Sequence, residues 1–493
     1  MTDLSRRVGS AATLLLVRRL WGAVASLAVL AYLARVLPAD DFGLLAFSQA
    51  VIAILGVLAT SGLAEYVIYY RGPEEDQVRR TVLWIGLLAT LGLALVFVVV
   101  SFVVPAVREQ TDFRYVCYLL LAQTTLSAVG AVPRAVLRRD LDLGRLVRVD
   151  LVVTTLANVA KVGLAWGGAG VYSLVIPAVG ASLVSAPILL RIARVGIAPP
   201  TDWSHVRACL VYTRHVLAQR VIGIFVSRSD ALIVGGLFGA VLLGTYHIAL
   251  QYLTLVLTYA MGLVMSLAMP VLSEARGNLS ELRRRHLRGT QLVAGFAIPV
   301  VVFQVAFVED LLPLVFGPSW ADAPLLVAIA APSVLLRSIS SPSSALYLAT
   351  GKPRIGTVAS VLHAVLLVIV TASTWSLGAY ALIGSICAVH FLASCFHIVV
   401  GARLVQTPVH EVLSSFAPAL AASVLGALGA RGLMALGMPW PVGVVVGPLL
   451  GLVVCRGLWP AWLARFLQLV DRMVPAVLQG RLLRVMRLSA PSA

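Results

Sequence analysis

The chain has 493 residues, 60% of them hydrophobic and only 12% charged, with 38 Lys and Arg against 21 Asp and Glu for a net charge of +17. No soluble core of this length needs so apolar a composition, which excludes a soluble globular enzyme or a soluble nucleic-acid-binding protein. The apolar residues fall in runs of about twenty, the length that crosses roughly 30 Å of hydrocarbon as an α-helix.

In chain order the runs predict spans at 10–36, 42–64, 79–105, 113–135, 146–166 and 170–192. After a linker at 193–208 containing Pro199 and Pro200 come 209–235, 241–272, 289–308, 322–350, 353–374, 377–400, 412–436 and 439–458. That makes an all-α integral membrane protein with about fourteen helices. The runs lack the strict alternation that barrel strands require. The first run is long and has no small-residue cleavage site, so it reads as a retained span.

Basic residues collect in alternate loops, which places both the N-terminus and the C-terminus in the cytoplasm. Arg6 and Arg7, Arg79 and Arg80, Arg134 to Arg148, Arg283 to Arg288, and Arg456 onward all fall on one side, whereas Arg108 and Arg431 are among the few on the other. The basic excess therefore reads as a topology signal and a contact with anionic lipid, with no need for nucleic acid. Two lysines among the 38 basic residues, with abundant Ala, Leu, Val and Gly, suggest a bacterium with a GC-rich genome. The five cysteines are scattered in apolar sequence without C-x-x-C spacing, so neither disulfides nor a metal site are expected.

An internal echo is visible. The turn Leu37 to Leu44 (LPADDFGL) has the layout of Phe238 to Thr245 (FGAVLLGT), with Gly43 and Gly244 in matching places. Paired helices opening two halves are a mark of transporters built by duplication. The segment 273–288 reads as one or two turns of charged helix on the cytoplasmic side. At the C-terminal end, Trp462, Phe466, Leu469, Val470 and Met473 recur at helical spacing among arginines, which predicts an amphipathic helix lying on the inner leaflet.

Specific motifs carry a family resemblance. LARVLPADDFGL (Leu33 to Leu44), SGLAEYVIYYR (Ser61 to Arg71), SDALIVGGLFG (Ser229 to Gly239), FGPSWADAPLL (Phe316 to Leu326) and ATGKPRI (Ala349 to Ile355) occur in order along the chain. Together they resemble the oligosaccharide flippases, O-antigen flippase-like proteins of the multidrug/oligosaccharidyl-lipid/polysaccharide exporter superfamily. The resemblance implies two six-helix lobes in a V, at 1–208 and 209–404, two further helices at 405–458, and a basic tail at 459–493. It implies alternating access in the bacterial cytoplasmic membrane and a cargo of polyprenyl-pyrophosphate-linked glycan. A monomer is the default, with a polysaccharide polymerase or chain-length regulator as pathway partners.

The intramembrane charges give a physical reading of their own. A charge at a helix centre costs roughly 2.5–3.5 kcal/mol even on the lenient insertion scale, so such residues should line a polar cavity or find partners. Arg18, Arg220 and Arg337 are expected to form the core of a cationic cavity, with Lys161, Arg214, Arg228 and Arg19 secondary. Arg214 and Arg228 lie fourteen residues apart, about 40° around one helix, a ladder suited to a diphosphate because guanidinium groups grip phosphate oxygens in pairs. Asp230 and Glu65 serve either Na+ or H+ coupling or simple pairing with arginine. Asn158, near Lys161 on one face, is a candidate sugar contact. The isolated histidines His247, His363, His390 and His397 read as hydrogen-bonded interior residues rather than proton relays.

Three alternatives remain at this level. A lipid II flippase would also need a pyrophosphate site, whereas a cation-coupled multidrug antiporter would favour acidic residues where this chain carries cations. A membrane polymerase or ligase would need a large outward loop with catalytic Arg, His or acids, and the longest here, Glu309 to Asp322, has neither histidine nor arginine. No P-loop is present, and no organic cofactor is expected.

Overall fold

The computed structural model describes residues 21–473 apart from Leu141, Thr201, Trp203 and Arg276. Thirteen of its helices are long and apolar enough to cross a membrane. The first predicted span is described only as α1, Trp21–Val36. Among the described residues there is no strand.

The chain divides into two compact units, one reaching Ile248 and the other beginning at Ala249. The first contains α2 (Ala39–Thr60), α3 (Leu63–Tyr69), α4 (Glu75–Val103), α5 (Pro105–Arg108), α6 (Thr111–Arg139), α7 (Leu143–Trp166), α8 (Tyr172–Ile192), α9 (His205–Phe238) and the opening turns of α10 (Ala240–Glu274). Helix α9 packs along α2, and α6 packs against both α4 and α8. The segment before α9 is tied to α4, because Gln77 donates to the Asp202 carbonyl at 3.1 Å and Trp84 Nε1 to the Ile197 carbonyl at 3.0 Å. The core of this unit joins Leu63 and Val67, Val78 and Val82, Val132 and Val136, and Leu189.

The second unit contains the rest of α10, α11 (Leu279–Ala306), α12 (Val308–Phe316), α13 (Ala323–Ala349), α14 (Pro353–Thr374), α15 (Ala379–Leu404), α16 (Val409–Ala435), α17 (Trp440–Leu458) and α18 (Pro460–Met473). Small residues let α16 and α17 approach closely: a Cβ on Gly426 would lie 2.6 Å from the Gly447 carbonyl oxygen, the packing mode expected where lipid removes the hydrophobic drive between helices. The apolar exterior is equally telling. Helix α14 buries only Ala359 and Leu367, while Val358, Val361, Leu362, Val365, Val368 and Ile369 are all exposed. Such a surface needs lipid around it. The protein is a multi-pass membrane protein.

Three differences from the sequence expectations have physical causes. The second predicted span is two helices, because Gly62 adopts φ 81° and restarts the chain as α3. The charged segment at 273–288 is largely helical as expected, but its turns continue α10 and α11 themselves, with ion pairs of Arg285 to Glu281 at 2.6 Å and Glu274 at 2.7 Å. The amphipathic C-terminal segment is helical as α18, but Trp462, Leu463 and Leu467 on its apolar face are buried against protein from α11 and α16. The rest of the predicted tail lies outside the described residues.

Many arginines read as topology signals have partners. Arg139 and Arg79 both bind Glu75, Arg134 binds Asp150 at 2.7 Å, and Arg283 binds Glu411. Proline is also accommodated inside spans by polar neighbours. Pro342 leaves the Ser338 carbonyl without its helical donor, and the Ser341 hydroxyl supplies one at 2.7 Å.

Candidate intramembrane cationic site

In the first unit the break at Gly62 positions the site. A Cβ at Gly62 would lie 2.9 Å from the Thr213 side chain, so only glycine lets α3 lie this close to α9. Tyr69 stacks on Tyr212 with ring centroids 5.2 Å apart, and Tyr66 meets the same ring at 5.5 Å. These contacts bring Glu65, in the first turn of α3, to Arg220 of α9, which donates to its carboxylate. Both side chains stay open, at 53% and 36% exposure.

The rest of the α9 ladder lies along the same helix. Arg214 is exposed and Arg228 half-buried. Asp230 accepts from the Ala231 amide at 2.9 Å and, at the long limit of 3.5 Å, from the Tyr246 hydroxyl. On α7, Lys161 is half-buried, and the buried Asn158 amide nitrogen finds no partner among the described residues. One turn earlier Thr155 accepts from Trp21 Nε1 at 3.1 Å, which ties α1 to α7. Arg18 and Arg19 lie outside the described residues.

Arg337 belongs to the second unit. It sits midway along α13 and is exposed, between Pro332 and Pro342. Across from it, on α14 and α15, His363 Nε2 and His390 Nδ1 lie 2.9 Å apart, with ring centroids at 4.9 Å. Arg337 is within electrostatic reach of both rings. Farther along, the Tyr347 hydroxyl lies 3.2 Å from His397 Nδ1.

Two of the four histidines read singly from the sequence, His363 and His390, are therefore a pair. The signal was available: His363 stands twelve residues before the turn at Trp375–Leu377 and His390 thirteen after it, so an antiparallel hairpin brings them level. At 2.9 Å one ring donates and the other accepts.

Within the membrane, then, the chain presents arginine forks in both units, a half-buried lysine, and an amide and carboxylates in the first. Of these groups the arginine forks are the ones suited to oxyanions, because guanidinium pairs with two phosphate oxygens whereas carboxylates repel them. Among the described residues no three His, Cys, Asp or Glu side chains gather as a metal site would require.

A family model described as "Polysaccharide biosynthesis protein" matches residues 32–325, from the end of α1 into α13. The chain belongs to this polysaccharide biosynthesis family. Curated relatives include the teichuronic acid biosynthesis protein TuaB of Bacillus subtilis, 20% identical over 57% of this chain and 59% of its own length. The succinoglycan biosynthesis transport protein ExoT of Rhizobium meliloti is 22% identical over 63% and 62%. The lipopolysaccharide biosynthesis protein WzxC of Escherichia coli is 20% identical over 67% and 69%. The match to TuaB and ExoT thus spans about three-fifths of each.

The fold is that of solved transporters. The lipid II flippase MurJ in an inward closed conformation superposes with a TM-score of 0.69 at 12% identity, covering 91% of this chain and 99% of MurJ. An inward-facing multidrug resistance MATE transporter gives 0.60 at 15% identity, covering 79% and 98%. At these identities the likeness of this polysaccharide biosynthesis family member to both is one of fold alone.

Proposed function

We propose that this protein is a flippase, not an enzyme, that carries a polyprenyl-pyrophosphate-linked oligosaccharide repeat unit across the bacterial cytoplasmic membrane by alternating access. The observation that carries the reading is the set of cations at membrane depth in a member of this family: Arg220 and Lys161 in the first unit and Arg337 in the second. A pyrophosphate would compete with Glu65 for Arg220, exchanging one charge-assisted pair for another. The Asn158 amide, without a partner among the described residues, suits a sugar hydroxyl.

Coupling to Na+ or H+ belongs to the same proposal, with Asp230 and Glu65 as the acids concerned. So do a monomeric state, cytoplasmic termini, and a polymerase or chain-length regulator as pathway partners. The cationic interior weighs against export of cationic drugs.

The test is surface-glycan analysis of a strain lacking the gene, complemented with wild type or with Arg220→Ala or Arg337→Ala at matched membrane levels. The expected result is loss of one exported glycan with accumulation of its lipid-linked unit inside, restored by wild type only. Intact glycans with new sensitivity to toxic cations would replace this reading with drug export. Accumulation of lipid II would move it to the peptidoglycan precursor.

A further inference from the structure

A second cationic feature lies away from the intramembrane charges, at the end of the second unit where α11 and α16 begin and α17 gives way to α18. A cavity of about 370 Å³ opens there, presenting Arg284, Arg288, Arg465, Gln291, Ser414 and Gln468. Trp462 also lines it, and Leu287 and Leu469 give it an apolar edge.

The cavity is built by specific contacts. Trp462 Nε1 donates to the Ser415 carbonyl at 2.8 Å, and Gln291 donates to the Trp462 carbonyl at 3.2 Å, so α16 and α11 both hold α18. Trp462 stacks on Phe466 with centroids 5.5 Å apart and planes 10° apart. Phe466 in turn occupies the space that a Cβ on Gly295 would fill. An aromatic wall and three helices thus fix the arginines around a defined opening.

Its charge balance is positive. The acids at the rim are already engaged: Glu411 holds Arg283, while Glu281 holds Arg284 and Arg285, and Arg285 also holds Glu274. Five arginines (283, 284, 285, 288 and 465) therefore face three glutamates (274, 281 and 411), leaving a surplus of two positive charges. The donors at the opening, which are guanidinium forks and amides, match the oxygens of a phosphate ester. The position matches too, since the spans end here and α18 is amphipathic, with polar residues on the face away from the core. Basic pockets of this kind at helix ends are where anionic lipid head groups bind.

We propose that this cavity binds the phosphate head group of an anionic phospholipid, seating α18 on the membrane surface. The inference is independent of the flippase reading and concerns a different part of the molecule. Phosphate esters occur in water as well as in lipid. The apolar edge of Leu287 and Leu469 selects the lipid source.

The test is native mass spectrometry of the full-length, detergent-purified protein titrated with phosphatidylglycerol. Parallel titrations use phosphatidylcholine and glycerol phosphate. Wild type is compared with Arg288→Gln/Arg465→Gln and with Arg191→Gln/Arg194→Gln, a control pair in the first unit. The proposal expects at least a tenfold loss of phosphatidylglycerol affinity in the first double variant, little change in the control, and weak binding of phosphatidylcholine. Circular dichroism and thermal unfolding of the Arg288/Arg465 variant should match wild type, and a Gln468→Ala variant provides a milder probe if they do not. Equal phosphatidylglycerol binding by wild type and both cavity variants overturns the proposal, as does equal loss in the control pair. Saturation by glycerol phosphate at the same concentration as the lipid would assign the cavity to a soluble anion instead.

Discussion

Gly43 and Gly244 meet reciprocally. A Cβ on Gly43 would overlap the carbonyl oxygen of Ala240, and one on Gly244 would overlap the carbonyl oxygen of Ala39 and lie 3.0 Å from the Gly43 nitrogen. Each glycine stands four residues after the alanine that its partner touches, so the first turns of α2 and α10 cross in a locally symmetric way. The echo between Leu37–Leu44 and Phe238–Thr245 is thus a contact as well as a repeat.

Substitution at this crossing should be severe, because the obstructing atoms are backbone and no rotamer change relieves them. Gly43→Ala and Gly244→Ala are each expected to cost about 3 kcal/mol or more, at the upper end for overpacking. Thermal unfolding in detergent checks this, with Gly92→Ala as the control. Nothing lies within 4 Å of a Cβ on Gly92, and the change there should be neutral or stabilising by about 0.5–1 kcal/mol. Equal melting temperatures for the Gly43 and Gly92 variants would mean that the crossing is looser than described.

The Arg220–Glu65 pair separates stability from function. Both partners are more than a third exposed, so the pair contributes only about 0–1 kcal/mol to folding. Glu65→Arg/Arg220→Glu should therefore melt within a few degrees of wild type yet fail to export glycan, because the cation has moved from α9 to α3. Wild-type export by the exchanged variant would show that the pair is structural and that the cargo does not use Arg220.

How far the sequence reached follows from which interactions are local. Spans were legible because each needs about twenty apolar residues in a row. Their ends were less so: α6 continues to Arg139 because Arg134 and Arg139 find Asp150 and Glu75, acids supplied by other helices. The intramembrane cations stood out as charge in apolar sequence, but the partnership of Glu65 with Arg220 joins residues 155 apart and depends on the tight turn at Gly62. The His363–His390 pair was accessible from hairpin symmetry and was missed by weighing each histidine alone. The basic cavity beside Trp462 needs three helices and had no linear signature.

Arg337 should be sensitive to the shape of its charge as well as its sign. Lysine keeps the cation but loses the planar fork that pairs with two phosphate oxygens. Arg337→Lys is expected to lower the export rate about tenfold, or ~1.4 kcal/mol in barrier, with normal membrane levels. His363→Gln, which keeps hydrogen-bonding capacity toward His390, should cost about 1 kcal/mol of stability at most. Radiolabelled repeat-unit transport into inverted vesicles reads the first, and thermal unfolding reads the second. Full activity of Arg337→Lys would show that the charge of Arg337 matters and its fork does not.

Arg134 and Asp150 test whether an arginine counted toward topology is also structural. Asp150 is buried, with 9% of its side chain exposed, and Arg134 meets it at 2.7 Å from the neighbouring helix. Removing the cation alone takes a charged partner from a largely buried carboxylate in the α6–α7 interface, a change that costs roughly 3–5 kcal/mol when a pair is fully buried. Arg134 is 32% exposed, so water softens the loss and Arg134→Ala should fall near the lower end of that range. Replacing both partners by apolar residues of similar volume, as in Arg134→Met/Asp150→Leu, should cost less than the single change because both charges of this pair leave together. Thermal unfolding of the two variants separates the cases. If the single and double changes destabilise alike, packing rather than the ion pair holds this end of α6 to α7.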